Sequence, residues 1–316
     1  MSNVTITETR TTGSPTARRG SWSRRVRDLG DGRLLAYGLL SPGVVALVLL
    51  ILVPVGYAVV WSLKSWSLTQ INLPKDYVGL HNYGDLLHDG IFWKSLRNTG
   101  VFMVASVGIE LVIGFAVALA LFHVTRGRKL VNALILLPMI LSPVLVALIW
   151  RYIYDNEFGP LNIVIKGLGF GAVNWLGSER LALPSVIAVD VWQFTPFAVL
   201  VLHAGLLTVP PEIIEAAKVD GASPWRLTRH ILLPWVMPFV LVIVLIRSID
   251  AYRIFDTIYL LTQGGPASAT DSVSTYAQRV GFGFFKMGYS MAIAVVMLAI
   301  IAVVCAFYLR LLRGRR

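Results

Sequence analysis

Six apolar runs, each long enough to cross a bilayer, leave this chain few folds to choose from. A helix needs about 20 apolar residues to span the hydrocarbon layer. Such runs fall near residues 34–63, 99–124, 130–154, 181–207, 235–261 and 287–309. Lipid offers no hydrogen-bond partners, so backbone buried there must satisfy itself, and runs of this length are read as helices. With 56% hydrophobic residues, 14% charged residues and a mean hydropathy of +0.71, the chain is too apolar for a soluble domain. The expected fold class is all-α, a polytopic membrane protein with six transmembrane helices. The first run exceeds one crossing, so tilt or an extension beyond the bilayer is expected. Pro54, Pro138, Pro143 and Pro196 lie inside runs and are expected to kink their helices.

Basic residues set the expected orientation. Seven arginines precede the first run, three basic residues join the second and third, three lie between the fourth and fifth, and four end the chain, together 17 of 28. Six crossings put all four places on one side, and the positive-inside rule makes that side cytoplasmic, both termini included. The net charge of +11 therefore reads as membrane orientation and not as a nucleic-acid surface. Residues 1–33 form a basic cytoplasmic tail, expected to be partly disordered and not a cleavable leader. Within it Trp22, Val26 and Leu29 recur at helical spacing, so a short helix on the inner leaflet stands beside a plain solvated tail. The one cysteine, Cys305, excludes an intramolecular disulfide and offers no metal cluster.

Between the fourth and fifth runs lies a polar segment, residues 208–234. Pro211 suits the first turn of a short helix, Glu212 and Glu215 suit its positive end, and Ile213, Ile214 and Ala217 give it an apolar side. Gly221 ends it. Ser223 and Pro224 then open a second helix as N-cap and first residue. The pattern predicts a two-helix knuckle, and on local grounds a connector packed on its own bundle fits equally well. The spacing decides further: Glu215-Ala216-Ala217, then Asp220-Gly221, then Ile231, Leu233 and Pro234. This resembles the cytoplasmic loop by which permease subunits of bacterial ATP-binding-cassette (ABC) importers engage their ATPases.

Other segments extend the resemblance from about residue 34 to the C-terminus. Val78 to Tyr83 with Phe92 to Thr99, and Asn156 to Asn162, are similar to outer loops of carbohydrate-type permeases. Arg247 to Asp256, followed by Leu261 to Pro266, resembles maltose- and glycerol-phosphate-type permeases, without the large outer insertion of the maltose permease. The resemblance implies a type I ABC importer permease fold over residues 34–316, in the bacterial cytoplasmic (inner) membrane. It implies a second permease subunit in a heterodimer, two ATPase subunits, an extracytoplasmic solute-binding protein and surrounding membrane lipid. No Walker A pattern occurs, so the chain is not expected to be an enzyme or to bind a cofactor, and ATP and Mg belong to the ATPase subunits. The implied cargo is a mono- or oligosaccharide. A polyol or glycerol phosphate derivative is the alternative.

Charges at membrane depth mark where a pathway or a structural pair is expected. Arg247, Asp250, Arg253 and Asp256 alternate in sign at three-residue steps, so neighbours on one helix can pair. A structural ion-pair network and a lining of the route are both open for them. Asp190, Trp192, Gln193 and Thr195 form a second polar-aromatic group, suited either to a sugar ring or to helix packing. Glu110 and His203 read as lone interhelical hydrogen-bond partners. A secondary carrier or channel would share these features but leave the Glu215–Pro234 spacing unexplained. An intramembrane enzyme would need a catalytic motif that the sequence lacks.

Overall fold

A computed structural model describes residues 31–70, 75–123 and 128–313. The expectations for the tail before Asp31, including the helix through Trp22, Val26 and Leu29, lie outside these residues. The described chain forms two units, divided after Gly56. Helix α1 (Asp31–Ser62) runs through Pro42 and Pro54, and its residues 39–54 are exposed all round, as expected of an apolar helix facing lipid.

The second unit holds the remaining helices. They are α2 (His81–His88), α3 (Gly90–His123), α4 (Arg128–Ile140), α5 (Pro143–Ile153), α6 (Pro160–Gly167), α7 (Ala182–Leu206), α8 (Pro211–Val219), α9 (Pro224–Leu227), α10 (Leu233–Tyr252), α11 (Asp256–Leu261), α12 (Val273–Gln278) and α13 (Met287–Arg313). Among the described residues, five helical rods are long and apolar enough to cross a membrane, and α4 with α5 supplies a sixth crossing if the bent pair counts as one.

Three expected spans differ from the observed helices. The third is not one kinked helix, because α4 and α5 meet at 97° around Leu141 and Ser142. Pro143 explains the break: it has no amide hydrogen, and its ring holds Ser142 in an extended conformation (φ −60°, ψ 137°). The second span begins at Gly90 rather than near residue 99, adding polar turns above the apolar stretch. The fifth ends at Tyr252 instead of residue 261. There the helix breaks, the Ser272 hydroxyl donates to the freed Ile254 carbonyl (2.9 Å), and α11 starts afresh at Asp256.

Helices α3 and α7 form the centre and run parallel. Gly114 of α3 abuts Ala198 of α7 so closely that a Cβ on the glycine would sit 2.7 Å from the alanine's. One helical turn on, His203 Nδ1 lies 3.4 Å from the Ala118 carbonyl. Small residues allow such approach, and in lipid, where apolar burial between helices drives little, van der Waals packing and interhelical hydrogen bonds supply the attraction. Helix α10 closes the group. One apolar cluster, with Phe102, Val146, Val186 and Ile258, lies at the end of these helices away from the knuckle. A second, with Leu202, Leu206, Leu232 and Val236, lies at the knuckle end.

The far end is clasped by the segments singled out in the sequence. Asn82 donates to the Ser62 and Lys64 carbonyls (2.7 and 3.2 Å), and the Tyr83 hydroxyl meets Ser62 Oγ at 2.6 Å. Asn98 donates to the carbonyls of Ser268 and Asp271, while Thr99 accepts the Val273 amide. Gly264, at φ +85°, leaves no room for a Cβ beside the Asp271 carboxylate, which is ion-paired to Arg279. Asp89 joins α3 to α12 and α13: one oxygen caps the Ile91 and Phe92 amides, and the other accepts the hydroxyls of Tyr276 and Tyr289.

Candidate coupling knuckle and intramembrane charge cluster

Helix α8 starts with Pro211 at its first position and ends in a Schellman arrangement. The Ala222 amide bonds the Ala217 carbonyl (2.9 Å), the Gly221 amide bonds that of Lys218 (3.1 Å), and Gly221 takes φ +76°. No atom lies within 4 Å of a Cβ built on Gly221, so the left-handed backbone, and not crowding within the chain, calls for glycine here. Ser223 then caps α9, its hydroxyl accepting the Arg226 amide (3.4 Å), with Pro224 behind it. Ile214, Ala217 and Ile231 pack on the apolar cluster around Leu227 and Leu232. Glu215, Ala216, Asp220, Gly221, Leu233 and Pro234 are exposed. The knuckle is thus nailed to the bundle by one side and presents the other.

Its second helix is not a separate piece. A π-helical turn, Thr228–Leu232, carries α9 into α10, so residues 224–252 form one continuous rod. Pro234 sits in the first turn of α10 and brings no amide hydrogen to the ladder. The wider turn precedes it directly.

Arg247 lies at the centre of the membrane-spanning bundle and is 2% exposed. Its Nε donates to Glu110 Oε2, and its terminal nitrogen donates to Glu110 Oε1 and Asp190 Oδ2, each at 2.8 Å. The Phe194 ring lies 4.0 Å from the guanidinium carbon. The forked geometry of arginine is what allows one cation to hold carboxylates from two helices. α3, α7 and α10 are therefore pinned at one point. This corrects the expected pairing for Arg247 alone: its partners come from two other helices, and Glu110 is not alone. The expected step of three does hold for Asp250 and Arg253 (2.9 Å), the arginine exposed and the aspartate half-buried, and Asp256 is exposed in the first turn of α11.

The group on α7 also divides. Asp190 belongs to the charge cluster. Gln193 is buried, donates to the Leu141 carbonyl (3.2 Å) and leaves its own oxygen without a partner. Trp192 and Thr195 line a crevice of about 680 Å³ between α3, α4 and α7, whose other walls are aliphatic and proline side chains. Asp190 and Gln193 do not line that crevice. A polar hollow of about 740 Å³ does exist at the far end, with Trp66, Lys75, Asp76, Asp89, Tyr276 and Lys286 on its walls. No charge pattern along one span signalled it, because its residues come from loops distant in sequence.

A bundle of apolar rods with a buried charge cluster and an exposed two-helix loop between two spans defines a polytopic membrane protein. Residues 110–316 match the sequence profile of the binding-protein-dependent transport system inner membrane component, and the chain belongs to this family of ABC transporter permeases. It is 35% identical to the sulfoquinovosyl glycerol transport system permease protein SmoG of Agrobacterium fabrum, over 93% of this chain and 94% of that one. It is also 35% identical to the trehalose/maltose transport system permease protein MalF of Thermococcus litoralis, over 89% of this chain and 95% of the other. Among solved structures it resembles a chain of a bacterial ABC transporter involved in the import of the acidic polysaccharide alginate. The TM-score is 0.77 at 23% identity, covering 92% of this chain and 99% of that one.

Proposed function

We propose that this chain is one half of the translocation path of an ATP-driven sugar importer. It pairs with a second permease subunit and two ATPase subunits, which bind ATP and Mg, and it receives cargo from an extracytoplasmic binding protein. The observation that carries the reading is the knuckle: a rigid helix–glycine–helix element, exposed on one side and continuous through α10 with the Arg247 cluster. A displacement imposed on it reaches the pinned core without an intervening loop. The relatives transport trehalose or maltose and sulfoquinovosyl glycerol, which supports a saccharide or glycoside as cargo. Both termini and the knuckle face the cytoplasm in this reading.

Arg247 commits its Nε and one terminal nitrogen to the Glu110 and Asp190 carboxylates and is read as structural. The solvent-accessible groups beyond it, Asp250, Arg253 and Asp256, are the better placed to meet a polar cargo. Gly221→Val tests the coupling. Forcing a β-branched residue into a left-handed conformation costs about 1–2 kcal/mol, so the knuckle reshapes while the spans persist. Insertion should remain near normal while sugar uptake and substrate-stimulated ATP hydrolysis fall together, and Glu215→Ala should have a milder effect. Undiminished uptake by Gly221→Val would defeat the proposal, and uptake without any ATPase subunit would favour a secondary carrier.

A further inference from the structure

The segment 155–175 folds inside out for a loop in water. Gly159 packs so closely under the chain turn that a Cβ would meet the Asp155 carbonyl at 2.4 Å, and Pro160 opens α6. Asn162, the first polar residue of the helix, points inward and is 0% exposed. Its amide nitrogen donates to the carbonyls of Asp155, Asn156 and Val173, and its oxygen accepts from the Val173 amide and the Trp175 indole. The outward face is the apolar one: Ile163 and Val164 are 59% exposed, and Phe158, Leu168 and Phe170 are 70% exposed. A surface helix in water shows the reverse pattern.

We propose that α6 and its flanks lie in the outer boundary of the bilayer, on the side opposite the knuckle, with this face dipped among lipid acyl chains. Placement favours lipid. The segment leaves α5, the short second half of the bent crossing, and returns to the start of α7, so both of its ends are held where membrane-spanning helices emerge. Trp150, Tyr154 and Trp175 form a chain of rings, with centroids 5.2 and 5.8 Å apart, at that same level. They pack into the apolar cluster at the far end, with Tyr154 buried, and so brace the base of the segment. Exposed Lys166 borders the apolar arc, where its stem can lie along the acyl boundary and its ammonium can reach the headgroups. The five exposed apolar residues offer no side-chain donor or acceptor, whereas a specific protein interface carries about one hydrogen bond per 100–200 Å². The Asn162 clasp thus serves to turn α6 outward, anchoring the far end of α5 sideways in the leaflet.

The test places an environment-sensitive fluorophore at Val164→Cys and Phe170→Cys in the full chain carrying Cys305→Ser, reconstituted into phosphatidylcholine–phosphatidylglycerol vesicles. Emission at both positions should shift to the blue and be quenched more strongly by a nitroxide near the lipid headgroup than by one at mid-chain. Labels at Glu157→Cys and Glu179→Cys should stay red and be quenched by aqueous iodide. Quenching of 164 and 170 by iodide would return the helix to water, and quenching by neither agent would mean protein covers it; either result overturns the proposal. Without any substitution, a phosphatidylcholine bearing a photoactivatable group near its head should crosslink to peptides within residues 158–170. Crosslinks to α3 but none to this segment would overturn it as well.

Discussion

At the scale of single residues, the Arg247 cluster decides more than any other side-chain contact. Breaking a buried ion pair by removing one member costs about 3–5 kcal/mol, because the remaining charge is left without compensation. Arg247→Met strands two carboxylates and should abolish most folded protein in a detergent melting assay. Adding Glu110→Leu and Asp190→Leu should recover much of the loss. Asp250→Asn removes only an exposed pair, worth about 0–1 kcal/mol, and should leave the melting temperature nearly unchanged. Asp89 gives a pH signature. Burial works to raise its carboxyl, but the hydroxyls of Tyr276 and Tyr289 and the Phe92 and Ile91 amides outweigh this and hold it below the ordinary carboxylate range. Its contribution is therefore full above the unfolded carboxylate value of about 3.9 and is lost as pH falls through the lower folded one. Asp89→Asn should flatten the stability profile at that acid end and leave it unaltered in slope near neutrality. The sequence showed that Glu110, Asp190 and Arg247 were costly at their depth. It did not show that they meet, since spacing along one helix says nothing about which faces of three helices coincide.

At the scale of elements, local chemistry carried the reading furthest where the chain folds on itself. The caps at Pro211, Ser223 and Pro224 and the turn at Gly221 lie where the sequence placed them, because each rests on residues a few positions away. Apolar runs located the crossings but not their ends. Hydropathy cannot see that Pro143 splits one run into two helices or that the ladder stops at Tyr252. For Gly221 the open space around its missing Cβ sharpens the test. Asparagine adopts the left-handed conformation more readily than other side chains. Gly221→Asn should keep most uptake if backbone shape alone matters, and should fail as Gly221→Val does if an ATPase cleft closes directly on that position. Uptake by the two variants, measured side by side, separates these cases.

At the scale of the whole molecule, orientation is the first quantity to measure. With Cys305→Ser as background, Ser223→Cys should react with an impermeant thiol reagent only from the cytoplasmic side of sealed vesicles. Labelling of intact cells from outside would invert the molecule. The parallel run of α3 and α7 already brings His123 and Leu206, the ends of two spans, to the knuckle face, in keeping with an even number of crossings between the basic loops. The π turn at Thr228–Leu232 bears on something else, the rotational phase of the molecule. It sets the clock angle at which the knuckle stands relative to Arg247 on the same rod. Inserting one alanine after Leu233, in the ordinary helix beyond that turn, would turn one end against the other by about 100° and set them about 1.5 Å further apart. The cluster, held by two other helices, should keep its place and the melting temperature with it. The knuckle would then face the wrong way, and uptake should vanish from a transporter that is still folded.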